Sequence, residues 1–137
     1  MTSHHAIEGL RQLRYSPGSQ EPVHQHEQGQ LILPLRGVAK IATAQHIWLL
    51  SPGRAIWLPS GTPHGLEAIN DVVTHNIYFT PPFSRRYGAR PQGLSATPLL
   101  HPLIAAGLEN AISAERLTLI QNLLSDEFQR MQSGQLC

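Results

Sequence analysis

A chain of 137 residues is long enough for one domain with one sizeable core and too short for two ordinary ones. Ten basic against nine acidic residues leave a net charge of +1, a total that argues for no electrostatic footprint toward nucleic acid or anionic membrane. The single cysteine, Cys137, excludes an internal disulfide and fits a reducing compartment, and no window approaches the ~18 apolar residues of a membrane span, so a cytoplasmic protein without membrane contact is expected.

From Pro22 to Thr80 short β-favouring runs alternate with Gly, Pro and Ser, the punctuation of an antiparallel sandwich or barrel. A weak strand around Leu10 to Tyr15 comes first. Val23–Glu27, Gln30–Leu35, Val38–Thr43, His46–Leu50, Ala55–Leu58, His64–Ala68 and Val72–Phe79 follow as predicted strands. In the last, alternation sets Val73, His75, Ile77 and Phe79 against Val72, Thr74, Asn76 and Tyr78, with the first set expected to point inward. The stretch Thr80–Pro98 is rich in Pro, Gly and Arg and is expected to be a crossing loop that cannot continue a sheet.

Beyond it the period lengthens to that of a helix. His101-Pro102 opens one, with Leu103, Ile104, Leu108 and Ile112 as its apolar stripe. Ser113 caps a second, in which Leu117, Ile120, Leu124, Phe128 and Met131 recur and Gly134 follows the end. The expected organisation is a mostly β unit, a barrel with an N-terminal arm over residues 1–97, and a C-terminal α-helical hairpin over 98–137.

Two histidine segments carry the chemistry. The first runs Gly18, five residues, His24-Gln25-His26, three residues, Gln30, six residues, Gly37; the second runs Gly53, five residues, Pro59-Ser60-Gly61, two residues, His64. On a strand, His24 and His26 leave the same face and serve one ion as adjacent ligands, while the rigid turn Pro59–Pro63 presents His64 from a neighbouring strand.

These spacings resemble the two motifs of the cupin superfamily, whose fold is a double-stranded β-helix, or jelly-roll barrel. Gln30 stands where that family has Glu, and Ala68 where it has Asn. The likeness implies a divalent metal on His24, His26, His64 and Gln30. With an amide replacing the carboxylate the ion keeps its full charge, which favours zinc, nickel or copper over iron or manganese. Glu27, one residue from His26, leaves the opposite strand face and is a poor substitute ligand unless the backbone bulges at Gly29. A metal-free pocket that hydrogen-bonds an organic ligand is the competing reading.

In finer detail, His24–Leu31 and Trp48–His64 resemble the N-terminal sensor domain of AraC-family transcription regulators, a group in which glutamine at position 30 is frequent, its nickel-responsive members included. Leu99–Ile104 and Glu115-Arg116-Leu117 look like that family's paired helices. The resemblance implies a module that binds a metal or small-molecule effector, forms a homodimer through its C-terminal helices, and reaches DNA only through a C-terminal domain that these residues do not include. The alternative function is a stand-alone metal-dependent cupin enzyme, isomerase- or dioxygenase-like, but no carboxylate or tyrosine is compellingly placed as its general acid or base.

His75 and Trp57 are further candidates for the ligand pocket, although a lone His or Trp on an apolar strand face is more often core. Trp48 could stack on a bound ring, and Arg85, Arg86 and Arg90 could meet an anionic group at the barrel mouth. His46 reads as surface and His101 as a helix-start residue. Thr2-Ser3-His4 would wrap copper or nickel if Met1 were removed.

Overall fold

The computed structural model describes residues 6–134, so Thr2-Ser3-His4 and Cys137 lie outside the described residues. The strands are β1 Ile7–Tyr15, β2 Gln20–His24, β3 Gly29–Arg36, β4 Ala39–Ala42, β5 Ile47–Leu50, β6 Arg54–Leu58, β7 His64–Ala68, β8 Val72–Phe79 and β9 Gln92–Ser95; the helices are α1 Pro81–Arg85, α2 Leu100–Gly107 and α3 Ala114–Gly134. One antiparallel sheet has the order β1-β8-β3-β6-β9 and the other β2-β7-β4-β5. This is the expected jelly-roll barrel with helices at its C-terminal end.

The two sheets face each other across an aliphatic interior built from Ile32, Ile56, Leu58, Ile41, Leu50 and Leu66. The outer face of the five-stranded sheet is as dry as its inner one. There Leu31, Leu33, Trp57, Ile77, Phe79 and Leu94 pack against Ile104 of α2 and Ile120, Leu124, Phe128 and Met131 of α3. Phe128 is the centre of this layer, with its ring centroid 4.8 Å from both Trp57 and Phe79. Barrel and helical hairpin therefore share one core.

That arrangement corrects the facing expected for β8. His75, Ile77 and Phe79 point out of the barrel, under the helices, with Val73 on the same side, while Val72 joins the barrel interior with Thr74, Asn76 and Tyr78 on its side. Alternation was right and its direction was not, because both faces of this strand are covered and period two cannot tell them apart.

The connector after β8 also departs from expectation. Thr80 caps α1 by accepting from the Phe83 amide, and Phe83 and Ser84 are buried beneath the chain. After it β9 pairs with β6, Arg54 opposite Ser95 through Trp57 opposite Gln92, and so extends the sheet that the prolines were expected to end. Pro91 lies just before the strand, where no ladder donor is needed.

Ser113 caps α3 as expected, its Oγ accepting from the Arg116 amide at 3.1 Å. α2 stops earlier than its stripe implied: Leu108 is its C-cap, and the turn onto α3 passes through Ala111 at φ 59°. The stripe of α3 is taken up by the chain's own sheet, with Ile120, Leu124, Phe128 and Met131 all buried. What α3 leaves in solvent is a different pair, Leu119 and Leu123.

Candidate functional site

Four motif glycines, Gly18, Gly37, Gly53 and Gly61, all hold positive φ, so the motif spacing marks four left-handed turns around the barrel. Those turns deliver the histidines. β2 ends at His24, whose register partner on β7 is His64. His26 lies beyond the strand, which overturns the expectation that simple alternation brings it beside His24. Its loop is instead fastened to the turn before His64: the Gly61 amide donates to His26 O at 2.9 Å, and Ser60 Oγ donates to Glu27 O.

The three imidazoles converge. Ring centroids are 4.5 Å apart for His24 and His64, 5.3 Å for His26 and His64, and 5.7 Å for His24 and His26. One nitrogen from each lies within 4.8 Å of the other two. Each Nδ1 donates to a backbone carbonyl two residues away: His24 to Pro22 at 3.0 Å, His26 to Gln28 at 2.8 Å and His64 to Thr62 at 2.8 Å. This fixes one tautomer three times and leaves each Nε2 as a lone-pair donor. Burial pushes the His64 imidazole down to about 4, with the neighbouring imidazoles acting in the same sense and the Thr62 carbonyl opposing, so it is neutral at pH 7.

Two features of these lone pairs lack a partner within the protein. His64 Nε2 is buried and accepts nothing. His26 Nε2 stands 3.1 Å from Gln30 Oε1, so with Nδ1 already donating, two acceptors face each other. A cation between them resolves both. The donor set therefore fits a divalent metal: three imidazole nitrogens and one amide oxygen, with His24 exposed and the rest progressively buried.

Gln30 is held from behind. Its Nε2 donates to Asn76 Oδ1 at 3.0 Å and Tyr78 Oη at 3.3 Å, and Asn76 Nδ2 donates to Thr74 Oγ1 at 2.9 Å. With the amide nitrogen engaged there, Oε1 is turned to the histidines. Asn76 and Tyr78 were not among the expected site residues. The signal was present in β8, whose polar Thr74, Asn76 and Tyr78 share one face of the strand.

His75 and Trp57, expected as pocket candidates, do not join the histidines. Both lie on the outer face of the sheet. Trp57 is core against Phe79 and Phe128. His75 bonds His101 and Gln12 between β1, β8 and α2.

A family model described as the AraC-like ligand binding domain matches residues 7–134. The chain belongs to that family. Over 60 residues, 44% of the chain, this AraC-like domain is 33% identical to the HTH-type transcriptional regulator NimR of Escherichia coli (strain K12), and the match spans 22% of NimR. Its fold is similar to that of ToxT from Vibrio cholerae, with TM-score 0.61 and 9% identity over 93% of the chain and 58% of ToxT. It is also similar to a cupin superfamily protein from Desulfitobacterium hafniense DCB-2, with TM-score 0.52 and 15% identity over 58% of the chain and 72% of that protein. Among the described residues no helix is long and apolar enough to cross a membrane.

Proposed function

We propose that this AraC-like domain is the cytoplasmic sensor of a transcription regulator, and that its effector includes a divalent metal held by His24, His26 and His64 with Gln30 Oε1 as a neutral fourth ligand. The observation that carries the reading is the buried, partnerless Nε2 of His64 beside two imidazoles whose Nδ1 atoms are already tied to carbonyls. Metal-ligating histidines carry this arrangement, in which the outer nitrogen donates and the inner one is free. A set of neutral ligands favours zinc, nickel or copper over iron or manganese. When bound, the ion supplies a charge to which β2, β3 and β7 all respond, since each provides or adjoins a ligand.

In this reading DNA is contacted by a separate domain, as the partial match to a helix-turn-helix regulator supports, and two copies meet through α3, where Leu119 and Leu123 are exposed. The test is calorimetric titration of the chelator-treated protein with zinc and with nickel. One ion per chain is expected, with loss of binding in His64→Ala and His24→Ala while the circular dichroism stays unchanged. Equal metal uptake by wild type and both variants overturns the reading.

A further inference from the structure

One flank of α3 that the sheet does not cover carries a pattern of its own. Arg116, Leu119, Leu123, Asp126 and Arg130 are all exposed and follow one another at alternating steps of three and four residues, so they form a single stripe along the helix. Leu119 is 70% exposed and Leu123 41%. The buried Ile120, Leu124, Phe128 and Met131 pack on the chain's own sheet, which leaves this stripe open to a partner.

The charges on the stripe are ordered. Among the described residues neither Arg116 nor Asp126 makes an ion pair within the chain, whereas Arg130 lies 3.9 Å from Glu127. Arg116 stands three residues before Leu119 and Asp126 three residues after Leu123, so about the midpoint of the two leucines the stripe is symmetric in spacing and opposite in charge. Against a second α3 running the same way, Arg116 would meet the partner's Arg116 and Asp126 the partner's Asp126. Against one running the opposite way, Leu119 meets the partner's Leu123 and Arg116 meets the partner's Asp126, each contact made twice. Sliding that antiparallel pair until Leu123 meets itself sets Arg116 against the partner's Arg130. Like charges facing each other across an interface are costly, so charge selects both the direction and the register.

We infer that two copies of this chain pair α3 antiparallel about a two-fold axis between Leu119 and Leu123, each leucine packed on the partner's other leucine and an Arg116–Asp126 ion pair closing either end. This rests on the reading of α3 as the face where copies meet, and adds the direction, the register and the residues that enforce them. The apolar centre is only two leucines per chain, so the dimer is a weak one in which the charges decide how the copies fit.

Sedimentation of the chelator-treated chain at tens of micromolar tests this in three charge variants. Both positions are exposed, and an aspartate in place of Arg116 falls in the first turn of α3, where it suits the helix dipole, so circular dichroism should not change. Arg116→Asp and Asp126→Arg are each expected to weaken the dimer at least tenfold, because each sets like charges opposite one another twice; the double variant Arg116→Asp/Asp126→Arg is expected to return to within about threefold of wild type. Copies running the same way would show no change in any of the three, since like faces like throughout. The inference is overturned if either single variant dimerises as wild type does, or if the double variant stays as weak as the singles. Leu119→Asp separates this from the reading beneath it. A dimer lost in Leu119→Asp but kept in both single charge variants leaves α3 as the interface and removes the antiparallel register, whereas a monomeric wild type removes both.

Discussion

His75 of β8 and His101 of α2 meet Nδ1 to Nδ1 at 2.9 Å, a contact in which only one ring can donate. His75 Nε2 lies 3.1 Å from Gln12 Oε1, and the Pro34 carbonyl accepts from His101. Burial lowers both imidazoles, His75 to about 4. The unfolded chain takes up protons from about pH 6.5 downward while the folded pair resists until near pH 4. The contribution is therefore intact above pH 6.5 and lost as pH falls between those values, on the order of 2–3 kcal/mol for His75. Urea midpoints measured with chelator at pH 7 and pH 5 should show this loss, and His75→Gln should reduce it. His64, lowered in the same direction, accounts for the acid sensitivity left in that variant. An undiminished loss in His75→Gln would contradict the assignment.

Gln30→Glu tests the charge of the fourth ligand. The carboxylate places a negative charge beside His26 Nε2, where the amide oxygen stands at 3.1 Å. Affinity for manganese or iron is expected to rise at least tenfold relative to zinc, since hard cations prefer anionic oxygen. The unliganded variant should also be less stable by about 1–3 kcal/mol, because Asn76 Oδ1 and the new carboxylate are both acceptors. Competition titrations with the two metals provide the measurement.

Two glycines with similar backbone angles should respond differently to alanine. Gly18 has φ 80° and open space where a Cβ would be; Gly37 has φ 84°, but a Cβ would strike the Asp71 carbonyl and lie 2.8 Å from Asn70 Oδ1, itself the acceptor for the Val38 amide. Gly18→Ala is expected to cost about 1 kcal/mol from backbone conformation alone. Gly37→Ala adds an overpacking penalty and should cost at least about 3 kcal/mol. Equal denaturation midpoints for the two variants would refute the steric account.

What could be read from the chain before folding was the local geometry, and what could not was which side faced what. Seven predicted strands from Val23 onward and both C-terminal helices lie within a few residues of their observed positions. His24, His26 and His64 come together because motif spacing encodes turns, and turns are local. Asn76 and Tyr78 were missed because the facing of β8 depends on α2 and α3, which come later in the chain. β9 was missed because four residues, Gln92 to Ser95, carry no periodicity of their own and gain strand structure only from the free edge of β6. His26 shows the converse. It reaches the site by being tied to Gly61, not by sharing a strand with His24.

Self-association through α3 has a sharp test in Leu119, 70% exposed, and Leu123, one turn further on. Sedimentation at tens of micromolar should give a dimer for wild type and a monomer for Leu119→Asp, with unchanged helicity. A dimer that survives the substitution places the interface elsewhere, and a monomeric wild type removes it.

Because the helical hairpin supplies the outer half of the layer that contains Trp57, Phe79 and Phe128, residues 98–134 are not an arm appended to a finished barrel. A chain terminated after residue 97 would present Leu31, Leu33, Ile77 and Phe79 to water along a whole sheet face and should precipitate. The same strand β8 that loses this cover also carries Asn76 and Tyr78 on its reverse. A shift of α3 over the sheet can therefore reach the Gln30 amide through the thickness of a single strand, with no need for a hinge.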